Sequence, residues 1–531
     1  MCGIALVLGP GDASGVFAGM LAALAPRGER LEVSERPGLL AGTQRLAIVD
    51  RDRAVQPWTD GRYLLCYNGE LFNYAELGAE LGAGDGVGDT AVLLAAFARW
   101  GAQAVRRFRG EFAFAVAEPA ADRIYVARDP LGVKPLYWAR SDGRLHLASE
   151  IKALVALGVP VHEVPPGHHG WATAAGGPVL GPYVDVAGLE ADPVEDPAEA
   201  AKLVRAAFED SVRVRVDTDL TVGVIVSGGL DSSLALLHVR EMHPDCVAFT
   251  VGAPGSEDLH YARRLCADLG VPHEVIELSP GQIGLSAIRQ AIAISELTEY
   301  GDIINAVVSV PLFRRVRQAG VKVVLTGDGS DELFGGYAMY DDMYGQGEAG
   351  GGEAGGGGGE QARRLFRHKL ATLGRTELQR VDRASMAATV EARVPFLDPA
   401  LVEVAMRLPM SLKVRDGQEK WILREAFADL LPGYIRQRPK NPMSHSSGLH
   451  ERARLYKPLF ARIHRSLGYD RCAPVRRDFS AVLEACGMDL NQALARAEDD
   501  YTALERVRDL AGAVRWNLAA ARRPRRDLEA V

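Results

Sequence analysis

The chain is 531 residues long, with 47% hydrophobic and 24% charged residues, a balance that excludes a disordered polymer. At roughly 150 residues per domain the length allows several domains, and two large ones fit equally well. The net charge of −8, from 61 basic and 69 acidic residues, excludes attachment to nucleic acid or anionic membrane by bulk charge, though not a local basic pocket for phosphates.

The first third predicts short strands. Gly3–Leu8, Tyr63–Tyr67, Ala113–Ala117, Ile124–Ala127 and Leu145–Ala148 are apolar or alternating runs bounded by turn residues, and Asp89–Trp100 carries Val92, Leu93, Ala96 and Phe97 at helical spacing. This is the pattern of an α+β domain rich in antiparallel strands. Gly176-Gly177-Pro178, Gly181-Pro182 and the acidic stretch Glu190–Glu199 predict an interdomain connection, with the boundary near residues 185 and 186. Helix and strand then alternate. Helices are expected at Ala198–Val212, Leu230–Met242 and Tyr261–Leu269, and strands at Leu220–Val226, Cys246–Val251, Val275–Leu278 and Val321–Leu325. That order predicts a parallel sheet wrapped by helices. Gly345–Gly359, with ten glycines in fifteen residues, predicts an exposed loop, and beyond about Leu365 the chain reads as mostly helical.

No apolar run approaches the roughly 18 residues of a membrane span, and Met1-Cys2-Gly3-Ile4 lacks the basic start of a secretory signal. The six cysteines form no CxxC pair, so neither a disulfide scaffold nor a zinc site is indicated. A cytoplasmic protein without nucleic-acid or membrane partners is expected.

Cys2 is the exception among the cysteines. Removal of Met1 would place a thiol and an α-amine on one residue, and an amine titrating near pH 8 can act as base for its own side chain. An amidase for glutamine also needs a cation for the substrate carboxylate, an acid for its ammonium and donors for the oxyanion. Arg45, in Gln44–Asp50, supplies the first and Asp89, in Gly88-Asp89-Thr90, the second. The Asn68 side chain and Gly69 N–H, in the Asn-Gly turn of Tyr67–Asn73, supply the third. The competing readings are a surface cation, a helix N-cap and a plain hairpin turn. Taken together after Cys2, and with Gly110-Glu111-Phe112-Ala113-Phe114 and Arg128-Asp129-Pro130-Leu131-Gly132-Val133-Lys134-Pro135-Leu136-Tyr137, these segments resemble the glutaminase domain of class II amidotransferases. The resemblance implies an N-terminal-nucleophile αββα fold and adds Ile48, Val49 and Glu70 to the glutamine-binding set of Arg45, Asn68 and Asp89. The chain departs from the family's His-Arg-Gly-Pro-Asp with Pro26-Arg27-Gly28-Glu29-Arg30, which bears on the local loop and on domain coupling.

Further on, the apolar run Leu220–Val226 leads into Ser227-Gly228-Gly229-Leu230-Asp231-Ser232-Ser233 and a helix. Glycines admit an anion close to the backbone and a helix N-terminus favours it. Asp231 beside a phosphate implies a bridging Mg2+. The heptad resembles the PP-loop of ATP pyrophosphatases, and Thr326-Gly327-Asp328-Gly329-Ser330-Asp331-Glu332-Leu333-Phe334-Gly335-Gly336-Tyr337 resembles the second signature of asparagine synthetases. Val390–Asp398, Gln418–Arg424 and Arg438-Pro439-Lys440 match further runs of that family. The resemblance implies an α/β PP-loop synthetase domain with a helical C-terminal extension, residues 186–531 following a glutaminase domain of residues 1–185. It places Asp231 and Asp331 on Mg2+, and Val226, Ser227, Gly228, Gly229, Asp231, Ser232, Val251, Thr326 and Gly327 around ATP. It also gives Asp328 a part in acyl-adenylate formation and sets Lys440 on pyrophosphate.

The implied activity is glutamine hydrolysis by Cys2, with passage of ammonia through a tunnel between the domains. At the second site a carboxylate is activated by ATP as acyl-AMP and amidated, with aspartate as first-choice acceptor. The alternatives are a different carboxylic acid in specialised metabolism, motivated by Asn305 where several members carry arginine, and an inactive scaffold. Homodimers are common in the family.

Overall fold

The computed structural model describes residues 1–336, 366–440 and 455–471, except residues 52, 85, 190, 191 and 299. The first apolar run is strand β1 (Cys2–Leu8), buried at every position. Its side chains alternate between two layers, as the period of a strand dictates. Cys2, Ile4, Leu6 and Leu8 enter one core with Leu64, Cys66, Ala113 and Ala115. Ala5 and Val7 enter another with Phe17, Met20 and Leu21 of helix α1 (Ser14–Ala23).

β2 (Arg30–Arg36) and β3 (Leu39–Arg45) extend the sheet of β1 on one side. A second sheet holds β4 (Trp58–Thr59), β5 (Leu64–Leu71), β6 (Gly110–Glu118) and β7 (Arg123–Arg128). The chain returns to the first sheet with β8 (Tyr137–Ser141), β9 (Arg144–Ala148) and β10 (Val161–Glu163), and closes the second with β11 (His168–Thr173) and β12 (Gly177–Pro182). Both sheets are antiparallel, in the orders β10-β8-β9-β1-β3-β2 and β12-β11-β7-β6-β5-β4. The outer face of the second packs Leu65, Tyr67, Phe112 and Phe114 against α3 (Asp89–Trp100), which lies beside α2 (Tyr74–Leu81). Helix, two sheets and helix make the αββα sandwich expected from the sequence.

Two local expectations are corrected. Asn68-Gly69 is not a turn: both residues sit inside β5, opposite Ala113 and Phe112 of β6. Gly69 has φ +155°, and a Cβ there would lie 2.2 Å from the Glu111 carbonyl oxygen. Glycine serves close strand approach here rather than a reversal. Gly177–Pro182 is likewise an edge strand paired with β11. Its two prolines are tolerated because an edge leaves one side of the ladder unused.

The second half builds one parallel sheet. After α4 (Pro197–Arg215) come β13 (Val222–Ile225), α5 (Leu230–Met242), β14 (Val247–Gly252), α6 (Glu257–Leu269) and β15 (His273–Glu277). Helices α7 (Leu285–Ser295) and α8 (Tyr300–Gln318) precede β16 (Val323–Leu325), and α9 (Ser330–Phe334) and α10 (Glu377–Met386) follow it. The strand order is β15-β14-β13-β16-β17, and every pairing is parallel. β17 (Glu391–Arg393) is a short strand set within the mostly helical stretch expected beyond about Leu365. Glu-Ala-Arg carries no apolar strand signal, and its ladder to Val323–Leu325 and its ionic partners hold it instead. Further on lie α11 (Trp421–Ala426) and α12 (Phe460–Ser466). Gly345–Gly359 lies outside the described residues, as does the tail beyond Leu449 apart from residues 455–471. No described helix is long and apolar enough to cross a membrane.

The sandwich and the parallel sheet meet along a buried seam of charge. Arg27 donates to Glu150 (2.6 Å) and, through both terminal nitrogens, to Asp382 of α10 (2.8 and 3.0 Å), while its Nε donates to the Cys2 carbonyl (3.1 Å). Arg383 reaches Glu296 at 3.0 Å. Arg215 joins Glu111 of β6 (3.1 Å) to Asp398 (2.8 Å), and Lys134 reaches Glu111 at 3.0 Å. The altered 26–30 segment is part of this seam, because Glu29 pairs with Arg317 and Lys322.

Buried ions held this way are stable only as complete sets. Replacing Arg215 by Met takes one of two cations from each of Glu111, which keeps Lys134, and Asp398, which keeps Arg109, and should cost about 3–5 kcal/mol. Thermal unfolding of Arg215→Met is therefore expected roughly three to five degrees below the parent, and an unchanged midpoint would contradict the assigned role.

Candidate active sites

The first site forms where β1, β3 and β5 meet. Cys2 lies opposite Arg45 in the β1–β3 ladder, and its N–H donates to Asn68 Oδ1 at 3.0 Å. One pocket is lined by Cys2, Arg45, Ile48, Val49, Gly69, Glu70 and Asp89. Asn68 stands directly behind it, so every predicted residue of this set converges. Arg45 is held by the carbonyls of Asp50 (3.3 Å) and Arg51 (3.1 Å). Asp89, first residue of α3, accepts from Leu71 N–H at 3.4 Å, and burial raises its pKa. Asn68 Nδ2 is buried without a hydrogen-bond partner. A buried donor left over in this way carries a desolvation cost unless a ligand satisfies it. Here it stands beside the only described thiol with an N-terminal amine next to it.

The Met1 ammonium is buried against Glu391 of β17 at 3.1 Å. Burial pushes the Cys2 thiol up, while the Met1 ammonium and Arg45 pull it down. Cys66 and Cys266 are pushed to about 12 and Cys246 to about 11 by burial, which leaves them inert as thiols. Cys472 and Cys486 lie outside the described residues.

The second site occupies the C-terminal ends of β14, β13 and β16, where an open parallel sheet binds its ligands. Val226 follows β13, Val251 lies in β14, and Thr326 and Gly327 follow β16. Thr326 N–H donates to the Arg393 carbonyl of β17 at 3.1 Å. The loop between β13 and α5 is shaped internally. Ser227 N–H donates to Ser232 Oγ (3.1 Å), Gly229 N–H to Ser227 Oγ (3.2 Å), and Ser233 Oγ to the Gly229 carbonyl (2.7 Å). Gly228 has φ +68°, and a Cβ there would strike the backbone of α6 at Ala262 N, 2.7 Å away. Gly327 brings the second loop against the first, its ideal Cβ 2.9 Å from Asp231 Cβ.

Asp231, Asp331 and Lys440 come together. Lys440 Nζ lies 2.6 Å from Asp331 and 3.9 Å from Asp231, and Ser330 Oγ donates to Asp231 at 2.8 Å. Against the effect of burial, Lys420 and Lys440 hold the Asp331 carboxyl down at about 2. Asp328 turns away and pairs with Arg380 of α10 at 2.5 Å. Arg380 also donates to Ser309 Oγ (3.3 Å), one turn along α8 from Asn305, whose Oδ1 is buried without a partner. Among the described residues no three His, Cys, Asp or Glu cluster closely enough to hold a metal alone. Two carboxylates beside a phosphate loop nevertheless fit Mg2+, which takes one or two carboxylates and completes its shell with phosphate oxygens and water.

The glutamine amidotransferase domain profile matches residues 1–166, and the asparagine synthase profile matches 203–351 and 343–511. The glutamine-hydrolysing asparagine synthetase B of Escherichia coli (strain K12) is 34% identical over 436 residues, covering 76% of this chain and 74% of that protein. The chain belongs to the asparagine synthetase family. A second family member, the glutamine-hydrolysing asparagine synthetase of Brassica oleracea, is 33% identical over 489 residues, covering 84% and 78%. Among solved structures, NMN synthetase from Francisella tularensis aligns over 55% of this chain and 94% of its own at 14% identity, with a TM-score of 0.26.

Sequence reasoning quoted several site residues of this family member without a role. Lys420 joins Asp231 and Asp331 (2.5 and 2.6 Å), and Arg438 ties the Ser227 carbonyl (3.0 Å) to Asp258 (2.8 Å). Arg424 grips Glu419 (2.7 Å), which in turn accepts from Lys440 N–H (2.7 Å). All of these lie in recognised runs, so a signal existed. Arg380 and Asp382 lie before Val390 in a plain helical stretch and had none.

Glu391 supplies a pH test. In the chain that retains Met1, Met1 and Arg393 lower its pKa, against burial, from the usual 4.5 to about 2, so the folded chain binds fewer protons than the unfolded one between those values. Its stabilisation, roughly 3 kcal/mol by linkage, is present above pH 4.5 and fades as pH falls toward 2. Acid unfolding followed by tryptophan fluorescence should be shallower in Glu391→Gln over that window. Parallel curves for the two proteins would refute it.

Proposed function

We propose that this chain is a glutamine-hydrolysing, ATP-dependent amidotransferase that converts aspartate to asparagine. The observation that carries the reading is the convergence of Cys2, Arg45 and Asp89 in one pocket, with the unpartnered Asn68 Nδ2 behind it. β17 connects that pocket to the second site: Glu391 touches the Met1 amine and the Arg393 carbonyl holds Thr326.

After loss of Met1, the α-amine of Cys2 takes the thiol proton and Sγ attacks the amide carbon of glutamine. Arg45 holds the substrate carboxylate and Asp89 its ammonium, with Ile48, Val49 and Glu70 completing the wall. Asn68 Nδ2 and Gly69 N–H receive the oxyanion, a class of contact worth about 10²–10³ in rate. Ammonia leaves, and water cleaves the thioester to glutamate.

At the second site Val226, Val251, Thr326 and Gly327 line the nucleoside, and Ser227, Gly228, Gly229 and Ser232 cradle the phosphates. Asp231 and Asp331 would hold Mg2+, which supplies charge neutralisation on the phosphates when bound. A carboxylate oxygen of the acceptor attacks the α-phosphorus and pyrophosphate leaves toward Lys440. Asp328 acts at the acyl-adenylate, held by Arg380. Ammonia, passing through a tunnel between the sites, then attacks the acyl carbon and AMP departs. Keeping the adenylate from water is the physical reason to place both sites in one chain.

The two catalytic domains divide at residues 185 and 186 in this proposal. A homodimer follows the family resemblance. A reducing cytoplasm suits a nucleophilic thiol among free cysteines. One observation favours a second acceptor. The unsatisfied Asn305 Oδ1, on the Arg380 side, is an acceptor atom suited to an N–H or O–H group of the substrate.

Pyrophosphate release across a panel of carboxylic acids tests the reading, with glutamine or ammonia as nitrogen source. Aspartate should give AMP, pyrophosphate and asparagine. Cys2→Ala should lose the glutamine-driven reaction at least a thousandfold while keeping the ammonia-driven one. A response to another acid and none to aspartate would overturn the acceptor, and survival of glutamine use in Cys2→Ala would overturn the nucleophile.

A further inference from the structure

Lys420 is buried and is the lysine in close contact with both proposed metal carboxylates, equal to Lys440 at Asp331 and nearer than it at Asp231. Its Nζ lies 2.5 Å from Asp231 Oδ2 and 2.6 Å from Asp331 Oδ1. Asp231 stands in the first turn of α5, after the loop that follows β13, and Asp331 in α9, after the loop that follows β16, so a single ammonium bridges the two segments. Lys440 touches the same pair, but the two lysines differ in setting. The Lys420 side chain is 1% exposed, against 29% for Lys440.

The fold constrains Lys420 from three directions. Its backbone is left-handed, φ +55°, a conformation unfavourable for a residue with a Cβ and kept only where surroundings over-determine it. That conformation places Lys420 at the start of α11, where its carbonyl accepts from Leu423 and Arg424 N–H (3.0 and 3.2 Å). The stem is packed by the end of the second signature. A Cβ on Gly336 would lie 2.3 Å from Lys420 Cε and 2.0 Å from Asp331 Oδ1, so glycine is the residue that fits there. An ammonium aimed this tightly has no rotamer freedom left to follow a leaving group, whereas Lys440 has.

We propose that Lys420 is a positioning residue for adenylation: a fixed internal cation that clamps Asp231 to Asp331 and weakens the pair's hold on a free divalent ion. This rests on the reading of the two aspartates as the Mg2+ site. The division of labour is then physical. Lys440, partly exposed, moves to the pyrophosphate as it departs. Lys420 stays, keeping the two loops in register and offsetting carboxylate charge that would otherwise trap the metal. Two carboxylates without their buried cation attract a divalent ion more strongly, so removing Lys420 should tighten metal binding while slowing the reaction. A residue needed only for packing would not produce those opposite signs.

The test uses the full chain and Mn2+ alone, without ATP, read by the electron paramagnetic resonance of free Mn2+, with pyrophosphate release measured in parallel. Lys420→Met is expected to bind Mn2+ at least tenfold more tightly than the parent and to release pyrophosphate at least a hundredfold more slowly with ammonia as donor. Glutamine hydrolysis should be unchanged, which certifies the fold. Lys420→Arg should recover most of the parent's Mn2+ affinity, and Asp331→Asn added to Lys420→Met should abolish the gain. Equal Mn2+ affinity in parent and Lys420→Met, with Asp331→Asn weakening both, would overturn the role of Lys420 and leave the metal site standing. Mn2+ binding indifferent to Asp231→Asn and Asp331→Asn would overturn both.

Discussion

Arg27 is the interaction on which the rest of the molecule depends. One guanidinium touches the Cys2 carbonyl, Glu150 of the sandwich and both oxygens of Asp382 in the second half. Its charge is completely desolvated, which is tolerable because its nitrogens are committed to carboxylates and a carbonyl. The consequence is geometric. The residue proposed as nucleophile is held by the same group that fixes α10, and two positions earlier on α10 Arg380 holds Asp328. A shift of either half relative to the other would expose unpaired buried charge, so the two sites keep one relative placement.

A second strap runs through β17. Glu391 meets the Met1 amine at one end, and at the other the Arg393 carbonyl receives Thr326 N–H. Between them Arg393 pairs with Glu391 at 2.6 Å and with Glu70 at 3.5 Å. A three-residue edge strand thus belongs to the parallel sheet by its ladder and reaches Met1 and Glu70, in the wall of the pocket around Cys2, by its side chains. Burial and the neighbouring Glu391 push Glu70 up, while the Met1 amine and Arg393 keep Glu391 ionised. The pocket wall therefore depends on charge contributed from the other half of the chain.

Much of this was legible from residues alone. Helices Asp89–Trp100 and Leu230–Met242 were expected at the bounds observed, because their apolar spacing and flanking glycines agree. Strand Gly3–Leu8 begins one residue earlier, at Cys2, and Cys246–Val251 is displaced by one residue at both ends, to Val247–Gly252. The convergence of residues around Cys2 was legible because they lie within long motif runs. What failed did so for tertiary reasons. Asn-Gly reads as a turn by local preference, and only the nearness of β6 makes Gly69 a strand residue. β17 is invisible because Glu-Ala-Arg is held by partners distant in sequence. The seam was legible only at residues 26–30, whose departure bore on domain coupling, since charged residues in a sequence ordinarily mark solvent and these mark the interior.

The central claim is that nitrogen released at Cys2 reaches the second site without leaving the protein. The most direct measurement supplies amide-15N glutamine, ATP, Mg2+ and aspartate together with excess unlabelled ammonium, and determines the isotope in the product amide by mass spectrometry. The account predicts asparagine carrying 15N well above its share of the bulk ammonia. Product labelled only to the bulk ratio would contradict it, as would glutamine hydrolysis with no amide formed.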